Sequence, residues 1–140
     1  MRTVLVLLLA SCNVSPSGTD PIGDFSGDCN SDAVCRGGEV CARSGGCYPP
    51  SQIRSIHVTW TLDGLAASAE TCGASQDLEI DFHGSDGGSL GFAPVPCLAG
   101  KFSIDKLPVS FTSVRLGTRG HWASGELDNA TGEAALDLSF

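Results

Sequence analysis

Residues 56–62 read IHVTWTL, in which the apolar side chains of Ile56, Val58, Trp60 and Leu62 alternate with polar ones. Successive side chains of a β-strand point to opposite faces of the sheet, so this alternation predicts a strand with one buried and one solvated face. An Asp-Gly pair follows directly and predicts a tight turn. The stretch therefore indicates a sheet that covers a core on one side.

Further segments with β-strand character follow this one and are separated by turn residues; they cover 78–83, 90–92, 102–104, 110–118, 122–127 and 134–140. The imperfect alternation in 110–118 predicts a β-bulge, and the prolines of 94–97 confine that segment to an edge or corner. About seven short strands at this spacing are typical of an all-β domain. We therefore predict a small antiparallel β-sandwich of immunoglobulin-like layout over residues 51–140.

Composition limits the possible functions. The chain has 140 residues, with 8 Lys and Arg against 16 Asp and Glu, a formal net charge of −8. A nucleic-acid binder needs a clustered basic face, so this charge argues against nucleic acid as a partner. With 41% hydrophobic and 17% charged residues, the chain is able to bury a core.

The first residues resemble an export signal. Arg2 precedes a mainly apolar run over 3–10, which is much shorter than the roughly 20 residues of a membrane-spanning helix. A positive start, a short apolar run and small residues are typical of a signal peptide, which we predict over residues 1–11.

The end of this segment, LASC at residues 9–12, resembles the lipobox of bacterial lipoproteins. The resemblance implies cleavage before Cys12 and lipidation of its thiol, and thus an anchor in which each buried CH₂ contributes about 0.8 kcal/mol. Asn13 after the cysteine implies the outer membrane, on its periplasmic or outer surface. The remainder of residues 12–28 is rich in Ser, Pro, Gly and Asp and is predicted to be a flexible tether.

The cysteine count supports export. The chain has seven cysteines, and lipidation of one leaves an even set for three disulfides: Cys29, Cys35, Cys41, Cys47, Cys72 and Cys97. The last two are predicted to bridge within the sandwich. The first four are evenly spaced in a module over 29–48 and allow three pairings, of which we favour Cys29–Cys41 with Cys35–Cys47.

Two family resemblances accompany these patterns. The even cysteine spacing with Gly pairs at 37–38 and 45–46 resembles the small cysteine-rich repeat of Dickkopf N-terminal type. Residues 58–64 (VTWTLDG) and 94–97 (PVPC) resemble segments of CnaB-like or transthyretin-like β-sandwiches, including those of uncharacterised lipoproteins of predatory soil bacteria. These resemblances imply module types and a place in the cell envelope, and they imply no catalytic residues.

An acidic pattern overlaps the cysteine-rich module. Asp28, Asn30, Asp32 and Glu39 occupy positions 1, 3, 5 and 12 of an EF-hand calcium loop. The sixth position is Ala33, where that loop needs glycine for a sharp turn. Acidic decoration of a disulfide-linked module is therefore the favoured interpretation, with Ca²⁺ as the one cofactor to test.

Two further sets of residues are candidate ligand sites. Asp81 and His83 share the polar face of one predicted strand, and His57 lies on that of another, so the three would form a metal site if the strands were neighbours. Trp122 is the aromatic residue whose side of the sheet the pattern leaves open. If exposed, it would stack on a sugar ring.

The function that these observations favour is a non-catalytic, lipid-anchored structural or interaction module of the cell envelope. The alternative is an extracytoplasmic binding module for a glycan or a divalent metal ion. The expected partners are the membrane, through the lipid anchor, and an envelope protein or glycan.

Overall fold

The computed structural model describes residues 20–22, whose side chains are left aside, and 29–140. The predicted signal peptide, Cys12, Asp28 and most of the predicted tether lie outside the described residues. In chain order the strands are β1 (Asp20–Ile22), β2 (Val40–Cys41), β3 (Cys47–Tyr48), β4 (Ile53–Leu62), β5 (Leu65–Ala66), β6 (Asp77–Gly84), β7 (Ser89–Pro96), β8 (Lys101–Pro108), β9 (Phe111–Thr118), β10 (His121–Glu126) and β11 (Glu133–Leu138). Helix α1 (Ala69–Cys72) precedes β6, and 3₁₀ helices lie at Asp32–Val34, Pro50–Gln52 and Cys97–Ala99.

Two sheets form a β-sandwich, which confirms the predicted fold class. One sheet has the strand order β1-β7-β6-β9-β10. In the other, β4 is central and pairs with β11 on one side and with β5 and β8 in antiparallel fashion. The β4–β11 pair is parallel, in contrast to the antiparallel pairing predicted. The small hairpin β2–β3 stands apart from both sheets.

The core is built by the predicted alternation. The inward side chains of β4, at Ile56, Val58, Trp60 and Leu62, are at most 4% exposed. They pack with the inward residues of the facing sheet in one cluster, whose largest members include Phe82, Leu78, Ile80, Leu90, Leu116 and Val114. At about 25 cal/mol per Å² of buried apolar surface, this cluster is the main source of stability of the sandwich.

Local irregularities match the sequence signals. Asp63 and Gly64 both have positive φ, as a two-residue hairpin turn requires. In β9 the predicted bulge is present, because His83 pairs with Ser113 and Gly84 with Phe111. In β7 another bulge falls between Phe92 and Val95. Pro94, which has no N–H to donate, is therefore accommodated within a strand that is longer than the alternation predicted.

The disulfides are Cys29–Cys41, Cys35–Cys47 and Cys72–Cys97, as predicted. The first two interlock and hold the module around β2 and β3, which is too small to bury a core of its own. The third joins α1 to the 3₁₀ helix after β7, and both of its cysteines are buried.

The disulfide-linked module contacts the sandwich at a bulge in β8. Between Arg54 and Ile56 of β4 the partner strand carries one extra residue, and Lys106 there has a φ of +52°. Lys106 Nζ lies 2.7 Å from the Asp32 carboxylate, and its carbonyl accepts the Arg43 N–H at 3.0 Å. These contacts attach the module beside the four-stranded sheet.

The predicted tether contains one short element. Asp20–Ile22 pairs antiparallel with residues 91–93 of β7, where the composition predicted no regular structure. A free strand edge offers unpaired backbone groups, so even a segment with weak strand propensity can pair there.

Candidate functional site

The outer face of the five-stranded sheet brings together three side chains from neighbouring strands. Asp81 of β6 lies directly opposite Arg115 of β9, and Trp122 of β10 lies opposite Gly117 of β9. Asp81 and Arg115 alternate with buried residues of their strands, and Trp122 alternates with Ala123, which is partly buried against the core, so all three side chains leave the core. We call this set the Asp81–Arg115–Trp122 stack.

The stack is ordered by two contacts of one guanidinium group. Arg115 Nε and Nη2 each lie 2.9 Å from Asp81 Oδ2, and Arg115 Cζ lies 4.4 Å from the centroid of the Trp122 ring. The Trp122 side chain is 37% exposed. An exposed ion pair contributes about 0–1 kcal/mol and an exposed cation–π contact about 0.5–1 kcal/mol, so the stack orients side chains more than it stabilises the fold.

Gly117 permits the close approach of β10 at this point. A Cβ built on Gly117 would collide with the carbonyl oxygen of His121 and would lie 2.9 Å from Cα of Trp122. Although its position in β9 faces outward, Gly117 is buried. The absence of a side chain at this residue therefore helps to set the position of Trp122.

Other polar side chains of the described residues share this face; by register and alternation they are Asp77, Glu79, His83, Ser89, Ser113, Ser124 and Glu126. Among the described side chains, the face carries four carboxylates, those of Asp77, Glu79, Asp81 and Glu126, and the guanidinium of Arg115. At one end Glu79 also lines an open cleft of about 480 Å³, which Thr118 and Arg119 border on the other side. The face is thus polar and mildly acidic around a single exposed indole.

His57 lies on the opposite side of the molecule. It is on the outer face of the four-stranded sheet, where its Nδ1 lies 3.0 Å from Ser103 Oγ and its strand neighbour is Glu133. The predicted metal site of His57, Asp81 and His83 is therefore not assembled. The prediction required β4 and β6 to be neighbours, whereas the two strands belong to different sheets with their polar faces directed apart.

The acidic residues of the cysteine-rich module are engaged differently from a calcium loop. Asp32 Oδ1 accepts the Cys41 N–H at 3.0 Å, and both its oxygens bind Lys106 Nζ. The hydrogen bond from Lys106, and after it the one from Cys41, lowers the pKa of the Asp32 carboxyl. Asn30 and Glu39 lie in the same module, and Asp28 is outside the described residues.

Within the described ranges, the group of three His, Cys, Asp or Glu donor atoms that come within 4.8 Å of one another consists of Cys29, Cys35 and Cys47. All three are in disulfides, which removes the thiolates that a metal would need. The structure thus does not assemble the set of His57, Asp81 and His83, and the calcium set, which includes Asp28, stays a prediction.

Arg115 is the site residue that sequence reasoning missed. Its position between Val114 and Leu116 indicates an outward side chain, but cross-strand register is needed to place it beside Asp81 and Trp122.

Over the residues that the structure describes, no helix has the length and hydropathy needed to cross a membrane. Three comparisons with known proteins, against family models, curated proteins and solved structures, find no match to this chain.

Proposed function

We propose that this chain is an exported, lipid-anchored, non-catalytic interaction module of the cell envelope that binds its partner through the face of the Asp81–Arg115–Trp122 stack. The observation that carries the proposal is the exposed indole beside a guanidinium that Asp81 holds in place. Trp and Arg are the residue types most enriched among the energetically dominant residues of binding surfaces. An ordered pair of them on a flat sheet face is suited to recognition.

Export is supported by the three disulfides, because such bridges persist in oxidising compartments outside the cytoplasm. The lipid anchor is supported by the LASC motif at residues 9–12. Cys12 would carry the acyl chains, and the protein would face the periplasm or the cell surface from the outer membrane. The module over 29–48 would be of Dickkopf N-terminal type and the sandwich of CnaB-like or transthyretin-like type.

A binding role fits the placement of the polar residues better than catalysis does. His57 is separated from Asp81 and His83 by the full thickness of the sandwich. Asp81 Oδ2 lies 2.9 Å from both Nε and Nη2 of Arg115, so this oxygen is occupied by the ion pair. The face therefore offers contacts to a partner and no assembled acid–base pair.

The test places a photo-crosslinking amino acid in the full chain in its native cells. Ser124 lies opposite Arg115 on the proposed face, and Thr59 is an exposed residue on the outer face of the other sheet. We expect adducts from position 124 that disappear with Trp122→Ala, and none from the matched control at 59. Equal adducts at both positions, or adducts that survive Trp122→Ala, would contradict the proposal.

The anchor is tested in the same cells by fractionation. We expect the parent chain in the membrane fraction and the Cys12→Ser variant outside it, since acylation requires the thiol. A Cys12→Ser chain that stays in the membrane fraction would contradict lipidation at this residue.

A further inference from the structure

We infer that the ligand of the face around the Asp81–Arg115–Trp122 stack is a neutral glycan chain. This inference rests on the proposed function, because it names the partner of the same face. It is carried by the stack geometry, the charges around the stack and the apolar content of the face.

The stack offers the two kinds of contact that a pyranose ring needs. The exposed part of the Trp122 indole can pack against the apolar C–H face of a sugar. An arginine has five N–H donors, and Arg115 directs two nitrogens at Asp81 Oδ2, which leaves other N–H groups free to donate. Among the described residues Asp81 Oδ1 has no hydrogen-bond partner and can accept. Neighbouring sugar hydroxyls both donate and accept, so they match this donor and acceptor pair.

The charges select a neutral ligand. Four carboxylates lie on the described face, those of Asp77, Glu79, Asp81 and Glu126. Two guanidinium groups oppose them: Arg115, whose charge Asp81 already matches, and Arg119 at the border of the cleft. An anionic polymer would therefore meet net repulsion, which is consistent with the overall charge of −8. A neutral polyol avoids this cost.

The apolar content of the face favours a glycan over a protein partner. The exposed large hydrophobic residues of the described chain are Val34, Leu65, Leu98, Val109, Trp122 and Phe140. Of these, Trp122 is the one on this outer face, and charged and hydroxyl side chains surround it. Protein interfaces bury a core that is depleted in charged residues, whereas one aromatic ring surrounded by hydrogen-bonding groups offers both kinds of contact that a sugar ring makes.

The shape of the face indicates a chain of sugars. Its outward residues form three rows two residues apart along the strands, from His83 past Asp81 to Glu79. At about 3.4 Å per residue these rows span roughly 14 Å, and the cleft beside Glu79 continues the surface. Several consecutive pyranose rings can lie along such a length.

The chain contains its own optical probe. It has two tryptophans, of which Trp60 is 4% exposed and Trp122 is 37% exposed. Acrylamide quenching of the full chain therefore reports mainly on Trp122. In the Trp122→Phe variant, the buried Trp60 is the one remaining tryptophan. The probes are hexamers of glucose, mannose and N-acetylglucosamine, each neutral, and a galacturonic acid hexamer as the anionic comparison.

We expect at least one neutral hexamer to protect the exposed tryptophan from quenching in a saturable way, and to bind more tightly than the anionic hexamer. Calorimetric titration should show binding about 2- to 13-fold weaker in Trp122→Ala, which is the contribution usual for an aromatic contact. Arg115→Gln should also weaken binding, and Trp122→Tyr should retain more of it than Trp122→Ala. Thr59→Ala on the opposite face is the matched control and should bind as the parent does. Thermal unfolding of each variant shows that it is folded.

Failure of the inference is distinguishable from failure of the proposed function. The inference of a neutral glycan ligand would be overturned if no neutral hexamer binds, if the anionic hexamer binds more tightly, or if Trp122→Ala binds as the parent does. If Trp122-dependent cross-links from position 124 then persist, the face binds a different class of partner and the proposed function stands. If they are also absent, both are overturned.

Discussion

Removal of the Cys72–Cys97 disulfide tests how much this single bridge contributes to the free energy of unfolding of the sandwich. The disulfide closes a loop with a sequence separation of 25 residues. In the chain-entropy description, a loop of that length contributes about 3.5 kcal/mol at 25 °C by restricting the unfolded chain. A domain of this size has a total stability of roughly 5–13 kcal/mol, so the bridge represents a large share of it.

A second contribution comes from the native state. Trp60 Nε1 donates a hydrogen bond of 3.0 Å to the carbonyl oxygen of Cys97, and both residues are buried. If the turn at Cys97 loosens, the indole N–H loses its partner, at a cost of about 1–3 kcal/mol for an unsatisfied buried donor. We therefore expect the double variant Cys72→Ala/Cys97→Ala to lose about 3.5 kcal/mol of unfolding free energy if the Trp60 hydrogen bond survives, and about 4.5–6.5 kcal/mol if it is lost.

The assay is urea unfolding of the full chain, followed by the fluorescence of the buried Trp60 in a Trp122→Phe background. The matched control is Cys29→Ala/Cys41→Ala, which opens one bridge of the separate module. It should disrupt that module and leave the sandwich transition within about 1 kcal/mol of the parent, since the cluster around Trp60 is unchanged. A Cys72→Ala/Cys97→Ala variant within 1 kcal/mol of the parent would refute the reasoning.

Three further changes have expected outcomes. Gly117→Ala forces β10 away from β9, and we expect a loss of about 1–3 kcal/mol in urea unfolding together with increased quenching of the exposed tryptophan. Arg54 donates to three backbone carbonyls that join β9 to the turn before β11, so Arg54→Met should cost about 2–3 kcal/mol and Arg54→Lys less. Hydrogen bonds from Thr61 and then from the Gly64 N–H lower the pKa of the Asp137 carboxyl below its usual range. A lowered folded-state pKa contributes stability above the unfolded pKa, so unfolding free energy should fall as the pH drops below about 4, and less steeply in Asp137→Asn.

Each of these expectations has an outcome that contradicts it. A Gly117→Ala chain with parental stability would mean that the sheet adjusts freely at this point. An Arg54→Met chain as stable as Arg54→Lys would mean that the carbonyls find water without cost. If the unfolding free energy of Asp137→Asn falls below pH 4 as steeply as that of the parent, the Asp137 carboxyl is not a cause of the acid sensitivity.

The sequence predicts which segments form strands and which of their side chains point to the core, because both properties depend on local alternation. Ile56, Val58 and Trp60 are buried as their spacing predicts, and the same holds for Leu136 and Leu138 in β11. Three disulfides could be predicted because six cysteines remain after Cys12 is set aside, whereas the spacing within 29–47 left three pairings open, of which the favoured one is present. The bulge in β9 followed from broken alternation. All of these signals are contained within short segments of chain.

The relative placement of strands could not be predicted in the same way. Alternation shows that His57 and Asp81 leave the core, but it carries no information on which sheet each strand joins. Alternation also does not indicate that β11 runs parallel to β4, since Leu136 would be buried with either strand direction. Strand order is set by how all the apolar faces close around one core, which depends on contacts between residues far apart in sequence.

The scarce basic residues show which contacts serve the fold and which serve another purpose. Arg43 and Lys106 join the cysteine-rich module to β8, and Arg54 binds backbone carbonyls between elements. Arg115 joins no separate elements in this way: its partners are the exposed side chains of Asp81 and Trp122 on strands that the backbone already pairs. Such exposed contacts add little stability, so a structural role explains its placement poorly. Arg115, one of the few guanidinium groups of an acidic chain, instead lies against an exposed indole, and this is why we propose the outer face of the five-stranded sheet as the binding face.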